Sequence, residues 1–144
     1  MPSQHNDKSA PVTKDAISGA VELLVDLRQP PTLTLRNLHP YRLKVKKLRD
    51  MLRFAQGQPP TELIDILGEV KDAIGDWHDW EQLRSIGDEF LGESAGELVN
   101  KIKQITAKKF AHAQSSAMRM RQKYIKARNG RRAPAALRTT SALA

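Results

Sequence analysis

Apolar residues recur at steps of three and four in four separate stretches of the chain, and no stretch sustains the alternation that a half-buried strand requires. In the first stretch Ile17, Ala20, Val21, Leu24 and Leu27 share a face, and Thr13 stands where an N-cap belongs. Pro30 and Pro31 break that helix, and the TLTL run at 32–35 is too short, without a partner, to be a strand. The second stretch sets Tyr41, Val45, Leu48, Leu52 and Ala55 on one arc. Pro40 falls in its first turn, where a missing N–H costs nothing. GQPP at 57–60 ends it. A third helix, from about Pro60 to Ser85, carries Leu63, Ile66, Leu67, Val70, Ala73, Ile74 and Trp77 on its apolar face. A loop over 86–94 follows. Ser94 and Glu97 then have the S-x-x-E spacing of a capping box, opening a fourth helix that runs to about Arg128. The connections are short, so the pattern predicts an all-α fold: an antiparallel four-helix bundle with a long basic C-terminal helix. Residues 1–12 read as a disordered tail, 13–128 as the domain and 129–144 as a flexible basic tail.

Charge changes this picture, because it is segregated. Lys and Arg total 24 against 16 acids, a net charge of +8 that favours acidic partners. At about 100° per residue, His39, Arg42, Lys46, Arg49 and Arg53 occupy one arc of the second helix, apart from its apolar arc. The third helix bears an acidic row, Glu62, Asp65, Glu69, Asp72, Asp76 and Asp79. On the fourth, Lys101, Lys108, His112, Arg119, Lys123 and Lys126 share an arc, and no acid occurs anywhere from 101 onward. Exposed ion pairs between helices are the plain explanation of any one of these residues, since such pairs are common and individually weak. Two basic stripes are harder to explain that way, because like charges so dense repel unless an anion lies among them. An extended polyanion would satisfy both stripes, with the acidic row pairing with their flanks.

The stretch LHPYRLKVKKLRDMLRF at 38–54 resembles the signature helix of the CHAD family, the conserved histidine α-helical domain. In that family a histidine is followed by basic residues at offsets three, seven, eight and ten, here His39, Arg42, Lys46, Lys47 and Arg49. The segment LGEVKDAIGDWHDWEQL is similar to the family's next helix, which ends in Gly-Asp-x-x-Asp, here Gly75, Asp76 and Asp79. The basic fourth helix with His112 fits the family's last. The resemblance spans about Val12 to Arg128. It implies a non-catalytic module that binds inorganic polyphosphate through His39, Arg42, Lys46, Lys47, Arg49 and Arg53, with Lys108, His112, Arg119 and Lys123 on the fourth helix. It also implies a cytoplasmic protein that can sit at polyphosphate granules. The family usually joins two such halves, often beside a triphosphatase domain, whereas this sequence has one histidine-motif helix and no internal repeat. A single half predicts a weak two-fold homodimer, tightened when a polyanion neutralises facing stripes.

Nucleic acid is the rival partner, drawn by the same electrostatics. It usually adds base-stacking aromatics or a groove-entering helix, and the basic faces have almost no aromatics. A metal-dependent phosphate hydrolase is a third reading, drawing on Asp76, His78 and Asp79. His78 projects away from the Asp76–Asp79 edge, however, and spacing supplies no third ligand. No cofactor, metal or catalytic residue is expected. Gly68 and Gly75, seven apart, predict a close helix approach or a bend, and Trp77 and Trp80 read as packing residues. The absence of cysteine excludes disulfides and thiolate metal sites. No run is long and apolar enough to span a bilayer, and the first fifteen residues have no apolar core of a secretory signal.

Overall fold

The computed structural model describes residues 9–55 and 61–126. Four helices occupy them: α1 (Ser9–Asp26), α2 (Leu38–Phe54), α3 (Thr61–Phe90) and α4 (Gly96–Met120). A 3-10 turn (Glu93–Ala95) precedes α4, and the turns that continue it, Arg121–Lys126, are π-helical. No strand occurs among the described residues, TLTL included. The protein is all-α, as the apolar spacing predicts. The expected tails at 1–8 and 129–144, and the GQPP stop, lie outside the described residues.

Helix pairing can be read from which residues meet. Gly19 faces Met51 across α1 and α2, and the Tyr41 hydroxyl donates to the Leu27 carbonyl at 3.1 Å. Residue numbers rise on one helix as they fall on the other, so the two are antiparallel. Arg42 lies against Gly75 and Arg49 against Gly68, so α2 and α3 are antiparallel as well. Lys109 pairs with Asp76 and Lys123 with Glu62, which sets α4 antiparallel to α3. The core forms where the four apolar stripes converge. Leu27, Leu38, Tyr41, Val45, Leu48, Leu67, Val70, Ile74, Ala117 and Met120 are all essentially inaccessible. Each large aliphatic side chain so buried contributes about 1.5–3 kcal/mol. Trp77 is buried too, edge-on to Phe110 with centroids 5.9 Å apart, in the packing role expected of it.

Three boundaries depart from the sequence reading. Helix α1 begins at Ser9, four residues before Thr13 and inside the stretch expected to be a tail. Helix α3 does not stop at Ser85 but continues to Phe90, because Gly87 interrupts helix propensity without preventing a helical backbone. The capping box does not form: Ser94 lies within the 3-10 turn, and α4 starts at Gly96 behind Ala95, with no side-chain cap.

One buried cation organises the α1–α2 connection. Arg121, only 4% exposed, reaches from the end of α4 and donates from Nε to the Leu27 carbonyl at 3.0 Å. Its Nη2 donates to the Pro30 carbonyl at 2.7 Å and its Nη1 to the Pro31 carbonyl at 3.2 Å. The guanidinium also lies over the Tyr41 ring, 4.9 Å from the centroid. These carbonyls belong to the end of α1 and the proline break, where the backbone has no helical partner of its own. Burial pushes the Tyr41 phenol above its ordinary value, an effect that Arg121 partly offsets.

Candidate anion-binding surface along helix α2

Helix α2 presents its apolar arc to the core, which turns its basic arc toward α3 and solvent. The structure places that arc at the seam between the two helices, not on a free outer face. Across the seam, His39 meets His78, Arg42 meets Gly75 and Arg49 meets Gly68. Each facing pair sums to the same residue number, so one antiparallel register runs along the whole row. His39 and His78 stack with centroids 4.6 Å apart and planes at 24°. Both are half-buried.

The glycines expected to allow close approach admit guanidinium groups. A Cβ added at Gly75 would sit 3.2 Å from Arg42 Nε, and one at Gly68 would sit 3.0 Å from Arg49 Nε. Arg42 Nε donates to the Lys71 carbonyl at 3.1 Å, a bond to the middle of α3 that the missing side chain makes reachable. Arg49 has no such bond: its Nε is buried and unpartnered. His39 Nδ1 is in the same condition. Among the described residues, no carboxylate lies within ion-pair distance of Arg42, Lys46, Lys47, Arg49 or Arg53. Lys46, Lys47 and Arg53 are exposed, while Arg42 and Arg49 are half-buried. The row is therefore a line of uncompensated cations, some held against the α3 backbone and some free in solvent.

The glycine fit carries a test of its own. Ala in place of a helical Gly ordinarily adds about 0.5–1 kcal/mol of stability. Gly68→Ala is expected to realise most of that gain, because the unbonded end of Arg49 can move aside. Gly75→Ala is expected to be neutral or destabilising, because its methyl must displace a guanidinium bonded to Lys71. Urea unfolding of the two single variants checks this; equal gains would mean the Arg42 bond contributes nothing.

The basic row of α4 is disposed differently. Lys108, His112, Arg119 and Lys123 are all exposed. Lys123 is bonded to Glu62, and this bond raises its ammonium above the ordinary range. Neighbouring Lys109 pairs with Asp76 at 2.7 Å and Lys103 with Asp88 at 3.5 Å. The expected pairing of the acidic row with a flank of a basic stripe thus occurs on the α4 side. On a wheel of about 100° per residue, Asp65, Asp72 and Asp79 lie on the outer arc of α3, between its Gly68–Gly75 edge and its α4-facing edge. The acidic row of α3 therefore separates the two basic rows on the outer surface, and the sequence-predicted residues divide into two sets: His39 to Arg53 along one seam, Lys108 to Lys123 along the other.

Two contacts are not readable from the helical wheels alone. His78, which projects away from the Asp76–Asp79 edge, stacks on His39; its position three residues beyond Gly75 on the same edge of α3 is the available signal. Arg121 falls four residues after Ala117 and eight after Ala113, on the buried arc, and that spacing marks it as a core arginine. Asp76, His78 and Asp79 do not converge, and no group of three or more histidines and carboxylates suited to a metal ion occurs among the described residues. None of the described helices is long and apolar enough to cross a membrane. No protein-family model, no curated protein and no solved structure matches the chain.

Proposed function

We propose that this protein is a non-catalytic binding module for inorganic polyphosphate, with α2 as its principal contact surface. The observation that carries the reading is the line of cations from Arg42 to Arg53 that no carboxylate among the described residues compensates. A repeating polyanion matches such a line, because each phosphoryl group can accept charge-assisted hydrogen bonds from successive Arg and Lys side chains. The buried, unpartnered His39 Nδ1 and Arg49 Nε are further polar atoms for which phosphoryl oxygens or bridging water are suitable partners. The resemblance of 38–54 to the CHAD signature helix points the same way. Lys108, His112 and Arg119 form a second basic surface, which a long chain reaches by crossing the acidic row of α3.

Binding of this kind is driven by counterion release. Polyphosphate affinity is therefore expected to fall steeply between low and physiological salt, with a log–log slope of about −0.7 per phosphate contact if a single-strand-like polyanion is the guide. Fluorescence titration at several salt concentrations measures the slope, and a flat response would sink the mechanism. Competition with single-stranded DNA at matched salt distinguishes the nucleic-acid reading. Polyphosphate is expected to win, because α2 carries no exposed aromatic among its cations on which a base could stack; Phe54 stands at its end.

A further inference from the structure

Helix α3 changes faces part-way along its length. Up to Trp77 its apolar residues point into the core and its carboxylates point out. Beyond Trp80 the order inverts. On a wheel of about 100° per residue, Leu83, Ile86 and Phe90 fall on the arc that carries Asp65, Asp72 and Asp79 earlier in the helix. The continuation of the core arc is instead occupied by Glu81, Arg84 and Asp88, joined in an ion network in which Arg84 Nη1 meets Asp88 at 2.8 Å. Ile86 is 54% exposed and Phe90 73%, and Leu98 of α4 is 52% exposed. The α3–α4 hairpin tip thus carries an uncovered apolar face, while its continuation of the core side is polar. Its rim is acidic: residues 86–97 contain Asp88, Glu89, Glu93 and Glu97 and no Lys or Arg.

The same chain carries a surface of opposite rim. Leu43 and Phe54 lie eleven residues apart on the outer face of α2, and Phe54 is 84% exposed. With Met51 and Ala55 they border a shallow hollow of about 500 Å³ whose charged flank is Lys46, Lys47 and Asp50, basic by one net charge. The α2–α3 register sets the hollow level with the first half of α3, far along the helix from the tip. An acidic-rimmed apolar knob and a basic-rimmed apolar hollow are complementary in both shape class and charge.

We propose that a second copy of this chain is the partner of the tip: Ile86 and Phe90 of one copy seat against Leu43 and Phe54 of the next. Glu89 and Glu93 then face Lys46 and Lys47. The contact is head-to-tail, joining different surfaces of the two copies, so it extends into a ring or an open chain unless one end is blocked. It differs from a two-fold pairing of the α2 rows, and it does not depend on the polyphosphate reading.

Mixing two blocked variants tests the proposal. In Ile86→Glu/Phe90→Glu the tip is blocked and the hollow intact, and in Phe54→Glu the reverse holds. All three positions are exposed, so circular dichroism is expected to match the parent. Sedimentation velocity of the parent is expected to show concentration-dependent association. Either variant alone is expected to lose it, by roughly a hundredfold in affinity for burying a carboxylate in place of an aromatic. Mixed together, the two variants are expected to form one-to-one pairs and nothing larger, through the single competent junction left. A parent that stays monomeric at high concentration overturns the proposal. So does a Phe54→Glu variant that still dimerises, which would mean that tips pair with tips, or a mixture that stays monomeric.

Discussion

Arg121→Ala is expected to lower stability by about 3 kcal/mol or more, the largest single loss of any substitution considered for this protein. The arginine is almost fully buried and satisfies three backbone carbonyls, those of Leu27, Pro30 and Pro31. Truncation leaves the Pro30 and Pro31 carbonyls without their donor and the Leu27 carbonyl with the Tyr41 hydroxyl alone, and it removes the cation from above the Tyr41 ring. A buried acceptor left without a donor costs about 1–3 kcal/mol. The Leu27 carbonyl keeps the Tyr41 hydroxyl, so the loss falls on the half-buried Pro30 carbonyl, on the space the buried guanidinium vacates and on its contact with the Tyr41 ring. Arg121→Lys keeps the charge but replaces a planar fork with a compact ammonium that cannot span Leu27 and Pro31 at once, so it is expected to recover less than half the loss. Urea unfolding followed by circular dichroism measures both. An alanine variant within 1 kcal/mol of the parent would show that the proline break holds its place without this clamp.

That residue also shows where sequence patterning works and where it stops. Helical spacing located all four helices, because burying a stripe of Leu, Ile and Val dominates the energetics and leaves a period in the sequence. Helix ends were less legible. Thr13 and Ser94 have capping side chains at suitable positions, yet α1 starts earlier and α4 starts later, since a cap contributes only about 1 kcal/mol and does not by itself fix where a helix begins. The α3 extension to Phe90 was hidden for another reason. Its apolar period persists but jumps to the opposite face, so a single-face template ends at Ser85.

The candidate site was half legible. The basic period of α2 is plain in the sequence, but a wheel describes one helix and cannot say what lies beside it. That Arg42 and Arg49 rest on Gly75 and Gly68 depends on the α2–α3 register, which only the packed pair defines. The wheel placed both arginines on a polar arc apart from the core, and packing then buried half of each. The separation of the α2 and α4 rows by the acidic ridge is likewise a property of helix order around α3.

This burial divides the α2 cations into two kinds, and paired substitutions are expected to separate them. Lys46→Ala/Lys47→Ala removes two exposed charges that form no ion pair among the described residues. It is expected to weaken polyphosphate binding about tenfold or more at low salt and to reduce the salt slope by about 1.4, two contacts' worth. The urea midpoint should stay within error of the parent, as surface substitutions usually change stability by less than about 0.5 kcal/mol. Arg42→Ala/Arg49→Ala removes the same formal charge and should reduce the slope equally. It also deletes the Arg42 bond to the Lys71 carbonyl and strips the side chains covering two glycines, so it is expected to cost about 1–2 kcal/mol of stability. The comparison rests on matched charge: electrostatics alone predicts identical binding losses, and only the seam predicts a difference in unfolding. If the lysine pair leaves binding unchanged while the arginine pair abolishes it, the polyanion is held within the seam by the half-buried guanidiniums. If neither pair alters binding, α2 is not the contact surface, and Lys108, His112 and Arg119 on the far side of the acidic ridge become the residues to substitute next.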